Sequence, residues 1–228
     1  MALTINTNVG AMAALQNLTS TNTQLAQSQN RINTGLTVGS TKDDSASYVI
    51  AQKLRGDISE LKAVGNSLNR AKSVTDVAVA GAEQISDLVN KMASLAKEAS
   101  DAIDTKSRTA LNRDFAAYRD TIATIVKSAD FNGTNLLSTG GGNVTALLTI
   151  QDGDTATPTY DTDSLTVTNV GLNLGGTVVT VGATGAIDTQ ANALAMVDTL
   201  SATKDNLAAK LSELGSASRR IDTQISFN

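Results

Sequence analysis

Two acidic doublets come nearest to a chemical motif in this sequence: Asp152 and Asp154 around Gly153, and Asp161 and Asp163 around Thr162. Alternating carboxylates offer the hard oxygen donors that calcium takes. The spacing lacks the loop glycine and terminal glutamate of an EF-hand, and it misses the nonapeptide calcium repeat. Acidic turns on an exposed β tip are the favoured reading, and no metal or other cofactor is expected. A second group, Arg31, Asp43 and Asp44, borders a Gly- and Ser-containing break, where helix capping and solvated charge are the ordinary reading. The chain has no His and no Cys. The commonest general base, the commonest transition-metal ligand and any thiolate are therefore missing. No nucleophile–base pair can be assembled, so an enzyme is not expected.

Elements that could carry these residues are mostly helical. Aromatics make up 3% of the 228 residues, so the core must be built from Ala, Leu, Ile and Val, which suits helix seams. The net charge of −4 gives no support to nucleic-acid binding. No apolar run reaches the ~18 residues of a membrane-spanning helix. The first eight residues lack the basic and apolar regions of a cleaved leader.

Apolar residues recur every seven positions near both ends, a spacing that calls for a partner helix. Ala11, Leu18, Leu25 and Ile32 form one row, with Leu15 beside it; Leu200, Leu207, Leu214 and Ile221 form the other. Residues 8–33 read as a helix whose seam weakens at Asn22 and Gln29. Glycines at 35 and 39 interrupt it. Thr41, followed three residues later by Asp44, fits a helix start with both Asp43 and Asp44 in the first turn. From there a proline-free helical pattern runs to about residue 100, roughly 85–90 Å at 1.5 Å per residue. Rows at Leu54, Leu61 and Leu68 and at Leu207, Leu211 and Leu214 are expected to meet inside the chain.

A third helix carries Leu111, Phe115, Tyr118, Ile122 and Ile125 on one face, and Asn132-Gly133 gives a tight turn. Ten of the seventeen glycines then fall between residues 133 and 185, around alternating runs at Val144, Ala146, Leu148 and Ile150 and at Leu165 and Val167. These are β-hairpin signals. No Lys or Arg occurs between Lys127 and Lys204. Asp188 is expected to cap a fourth helix, antiparallel to the second or third. The fold class is mainly α, a long antiparallel helix bundle or coiled-coil rod with a small β-hairpin insertion.

Several collinear motifs carry a resemblance. They are Ile5 to Asn8; Gln29 to Gly35 with Ser40 to Ala46; Asp130 to Leu137; and Arg219 to Asp222. Together they resemble bacterial flagellin, the subunit of the flagellar filament, in a short α-proteobacterial-like form. The resemblance implies a polymerisation arm at 1–33, a connector at 34–42, a rod domain at 43–137 with 188–228, and a small exposed β-rich insertion at 138–187. It also implies a secreted homopolymer that supports swimming motility, with the flagellar type III export apparatus and the filament cap as further partners. Flagellins end in a helix that pairs with the arm. The pattern stops at Asn228 before such a helix, so a C-terminal segment is expected to be missing, chaperone binding is doubtful, and residues 1–33 are expected to gain order only from a neighbour. Filament contacts fall to Leu15, Leu18, Leu25, Ile32, Arg31, Asn33, Asp43 and Asp44.

Residues 88–101 align with the stretch of enteric flagellins read by an innate immune receptor. The Arg-x-Arg-Glu-Leu core of that stretch is replaced by Lys91, Met92, Ala93, Ser94 and Leu95, and lysine does not substitute for a bidentate guanidinium. Weak or no activation is expected. Two alternatives stand beside it: a hook–filament junction protein, which has similar termini but in which Phe131-Asn132-Gly133 is less expected, and a flagellin-like surface protein that binds polysaccharide.

Overall fold

The computed structural model describes residues 8–102, 104–151 and 161–228, and the chain divides into two units, residues 1–59 and 60–228. The Asp152–Asp154 doublet and residues 1–7 of the expected arm lie outside the described residues.

In the first unit, helix α1 (Val9–Thr34) begins where the Asn8 side chain accepts the Ala11 N–H at 3.1 Å, and it ends at Gly35, whose φ of 66° suits a left-handed cap. Helix α2 (Ser45–Asp101, 57 residues) then begins. Its start differs from the expected one. Asp44 is the cap, accepting the N–H groups of Ala46 at 3.0 Å and Ser47 at 3.2 Å. Asp43 turns back to accept from the N–H groups of Gly39 and Ser40. Neither acid lies in the first turn of the helix, because both carboxylates are already occupied by backbone donors ahead of it or at its edge.

The second unit holds the core. Along α2 the buried residues Val64, Leu68, Ala71, Val74, Ala78, Ala82, Ile85, Val89, Met92, Ala96 and Ala99 recur at helical spacing. Helix α3 (Thr105–Ser128), capped by Asp104, contributes Phe115, Ile122 and Val126. Helix α4 (Gln190–Phe227) buries Ala193, Leu200, Leu207, Leu214 and Ile221, an unbroken seven-residue row that includes every member expected from the sequence. It runs antiparallel to α2. Gln190 donates to the Ser100 carbonyl at 3.3 Å at one end, Lys72 pairs with Asp222 at 2.7 Å further along, and Asn228 donates to the Leu61 carbonyl at 3.1 Å. The cap of α4 is Thr189 rather than Asp188. Thr189 accepts the Asn192 N–H at 3.2 Å, while Asp188 is drawn to the Asn192 side-chain amide at 2.8 Å.

Strands β1 (Val144–Gln151) and β2 (Asp161–Val167) form one antiparallel hairpin, with Val144 opposite Val167 and Ala146 opposite Leu165. Those four residues are buried. The register shifts between Leu147 and Thr149, so Leu148 is an extra residue that breaks the expected alternation.

Residues 168–187 contain no strand and are far from uniformly exposed: Val170, Leu172, Val178, Val179, Val181 and Ile187 are buried. Their backbone is held from outside the segment. Val170 and Leu172 donate to the carbonyls of Leu136 and Leu137, Arg119 donates to the Gly185 carbonyl at 2.9 Å, and Asn112 accepts the Ile187 N–H at 2.8 Å. Glycine-rich chain with scattered Val and Leu can enter a core this way, because side chains and loop carbonyls satisfy its backbone in place of a sheet.

Candidate subunit contact surfaces

Helix α1 buries no residue at all. Leu15, Leu18, Leu25 and Ile32 are exposed, Ile32 at 80%, and Val9 and Met12 join them. A folded chain gains nothing by leaving such a row in water, which makes the row a candidate contact surface. Exposed apolar residues also occur at the start of α2. Val49, Ile50, Leu54 and Ile58 are all exposed, and so is Leu61. Leu54 at 55% and Leu61 at 48% therefore correct the expectation that both lie in the core, whereas Leu68, Leu207 and Leu214 are fully buried and Leu211 packs against them. The packed part of α2 begins at Val64. Periodicity alone could not locate that boundary, because the same row runs through it.

Of the polar group at the connector, Arg31 and Asp43 come to one hollow, while Asn33 and Asp44 do not line it. Arg31, Asn30, Thr34, Gly39, Ser40 and Asp43 line a small hollow of about 150 Å³. Gln27 donates to Asp43 Oδ1 at 3.1 Å, and the Ser40 hydroxyl to Oδ2 at 3.2 Å. Desolvation acts to raise the Asp43 carboxyl, but hydrogen bonds from Gln27, Gly39 and Ser40 outweigh it and hold the group below its ordinary value of 3.8. The Asp44 carboxyl is lowered by the side chain and then the backbone of Ser47. Asn33 is exposed on α1 and takes no part in the hollow.

In the receptor-like stretch, Met92 is fully buried and Leu95 packs on the core, while Ser94 is exposed and Ala93 half-buried. Lys91 lies 5.9 Å from the centre of the Tyr118 ring, a cation–π contact. No group of three or more potential metal ligands occurs among the described residues, and no helix among them is long and apolar enough to cross a membrane.

Sequence reasoning missed one residue that organises the motif after α3. Asn135 is buried, donates to the Val126 carbonyl at 2.7 Å, and accepts the N–H groups of Leu137 and Ser138 at 2.9 Å each. Its position next to the Asn132-Gly133 turn was the available signal. Asn132 has a φ of 53° and Gly133 of 79°, and Phe131 and Thr134 pair across them as in a type I′ turn.

A model of the bacterial flagellin N-terminal helical region matches residues 5–141. Flagellin FljM of Caulobacter vibrioides is 40% identical over 229 residues, spanning 100% of this chain and 80% of the relative. The chain belongs to the bacterial flagellin family. Flagellins are structural proteins, and this flagellin is a structural subunit of the flagellar filament, an extracellular appendage. Flagellin A of Rhizobium meliloti is 32% identical over 193 residues, covering 81% of this chain and 46% of that protein. Bacillus cereus flagellin has the same fold, with a TM-score of 0.59 at 19% identity over 72% of this chain and 89% of that one. A putative flagellar hook-associated protein from Vibrio parahaemolyticus also scores 0.59, at 16% identity over 82% and 93%, so the fold alone does not separate filament from junction proteins. The sequence relatives do.

Proposed function

We propose that this flagellin joins the filament through two apolar surfaces, the α1 row of Leu15, Leu18, Leu25 and Ile32 and the exposed start of α2 at Ile50, Leu54 and Ile58. The observation that supports this is a 26-residue helix with no buried residue in a chain whose other helices all bury a row. Covering such rows with neighbouring copies gains about 25 cal/mol per Å² of apolar surface, repeated at every subunit. Arg31, Asn33, Asp43 and Asp44 add polar contacts to neighbouring subunits at the connector. In this reading residues 1–33 are the arm, 34–42 the connector, 43–137 with 188–228 the rod, and 138–187 the outer segment.

Secretion by the flagellar export apparatus, growth beneath the filament cap and a role in swimming follow from the same reading. So does a silent receptor stretch: with Lys91 placed at Tyr118 and Met92 turned inward, the chain should leave enteric-flagellin reporter cells unstimulated. Seeded filament growth followed by electron microscopy tests the arm. A variant carrying Leu18→Ser, Leu25→Ser and Ile32→Ser should remain monomeric; its growth into filaments at the parent rate would overturn the proposal.

A further inference from the structure

The β-bulge at Leu148 leaves an open groove of about 440 Å³ beside α4. Its floor is Leu148 and Leu165, and its rim carries Arg219, Arg220, Thr223 and Gln224. Both arginines are exposed, and neither forms an ion pair among the described residues. Asp222, the closest acid along the helix, is already held by Lys72 at 2.7 Å. Among the described residues the groove is therefore cationic, fitted with an apolar floor, and lined by no acid.

The opposite arrangement stands at the α2–α3 corner. A cleft of about 570 Å³ there is lined by Glu98, Asp101 and Asp114, with Ala102, Ala110 and Leu111 between them and no basic residue in the described lining; the nearby Arg108 guanidinium is turned to the Ala102 carbonyl. All three acids are exposed, and none is ion-paired among the described residues. The antiparallel register sets Asp222 beside Lys72, whereas the acidic cleft begins at Glu98. That separation is roughly 26 residues of α2, or ~40 Å at 1.5 Å per residue. The two surfaces cannot meet within one subunit. Between copies, a contact of one surface with the other is heterologous, and displaced along the helix axis it repeats without closing, which generates an open filament.

We propose that the Arg219–Arg220 groove receives the acidic α2–α3 corner of a second copy of this chain. Guanidinium forks match carboxylates in charge and in planar geometry, and the Leu148–Leu165 floor meets the Ala102, Ala110 and Leu111 surface. The inference rests on the filament reading and adds a specific axial contact to it.

The test is charge exchange in the full chain. Seeded elongation would be followed by light scattering for R219E/R220E, for E98K/D101K/D114K, and for the variant carrying all five changes. Each one-sided reversal should slow elongation by about tenfold or more, since it replaces attraction by repulsion during docking. The five-fold variant should recover most of the parent rate. One-sided reversals that elongate like the parent overturn the proposal, as does a five-fold variant that stays slow with parental helix content. A second measurement needs neither filaments nor charge changes. The chain has no cysteine, so Ser216→Cys at the groove and Ala110→Cys at the cleft can be mixed as single variants and oxidised. Mixed disulfide dimers in excess over either self-dimer are expected, and a merely statistical mixture overturns the contact. Failure of the parent to elongate would count against the filament reading, while the cysteine experiment would still decide the contact.

Discussion

Asn169 clamps Asn135 from outside: its side-chain amide donates to the Asn135 carbonyl at 2.9 Å and to the Ser138 carbonyl at 2.8 Å. Asn135 in turn binds the end of α3 through Val126 and the following loop through Leu137 and Ser138. The pair therefore joins α3, the loop after it and the strand-free segment after β2. Asn135→Ala strands one buried carbonyl and two backbone N–H groups and should cost about 2–3 kcal/mol. Urea unfolding at constant slope would measure it, and a loss under ~0.5 kcal/mol, the scatter of surface changes, would contradict the role.

Two glycines should answer alanine in opposite directions. A Cβ on Gly141 would meet the Asn135 backbone oxygen at 2.0 Å, so Gly141→Ala must displace the same loop and destabilise the second unit. Gly56 lies inside α2 with nothing within 4 Å of a Cβ. Gly56→Ala should raise stability by about 0.5–1 kcal/mol through helix propensity alone. Thermal melting of the two variants side by side gives both signs.

Apolar residues of equal size should separate assembly from stability. Leu207→Ala and Leu214→Ala remove fully buried side chains and should cost about 2–5 kcal/mol each. Leu18→Ala and Leu25→Ala remove exposed ones and should change monomer stability by under ~0.5 kcal/mol. Because α1 buries nothing, its amides should exchange rapidly in the monomer and become protected in filaments. Strong monomer protection along α1 would show that the arm needs no neighbour.

Stability should fall at both extremes of pH. The Asp104 carboxyl is held below its ordinary 3.8 by the backbone and then the side chain of Ser107. A carboxyl depressed on folding supplies stability that is present above its unfolded value and is lost as pH falls through the folded one. Lys72 is raised above 10.5 by Asp222 and then Asp76. Its contribution is complete below 10.5 and is lost as pH rises through the folded value. Asp104→Asn should flatten the acid limb of a melting curve, and Lys72→Met the alkaline limb. Unchanged limbs would place the pH dependence elsewhere.

Helix content, the α4 heptad, the Asn132-Gly133 turn and the hairpin were legible from residues 1–228 because each is written in local spacing. Heptad, period-two and turn signals depend on neighbours a few positions away. Family motifs were legible for the same reason. Three features were not. Leu54 and Leu61 continue the row of Leu68, yet only Leu68 is buried, in the stretch where Ser67 holds Leu147 of β1 and Lys72 pairs with Asp222 of α4, and the presence of a partner is a long-range fact. Thr189 rather than Asp188 caps α4, and Asp44 alone caps α2, because competing donors decide which oxygen turns inward. The strand-free residues from Val170 to Ile187 enter the core because Asn112, Arg119 and the Leu136–Leu137 carbonyls wait for their backbone. The sequence by itself settled which faces are apolar. Only the tertiary structure decided which of those faces the chain covers for itself and which it leaves exposed.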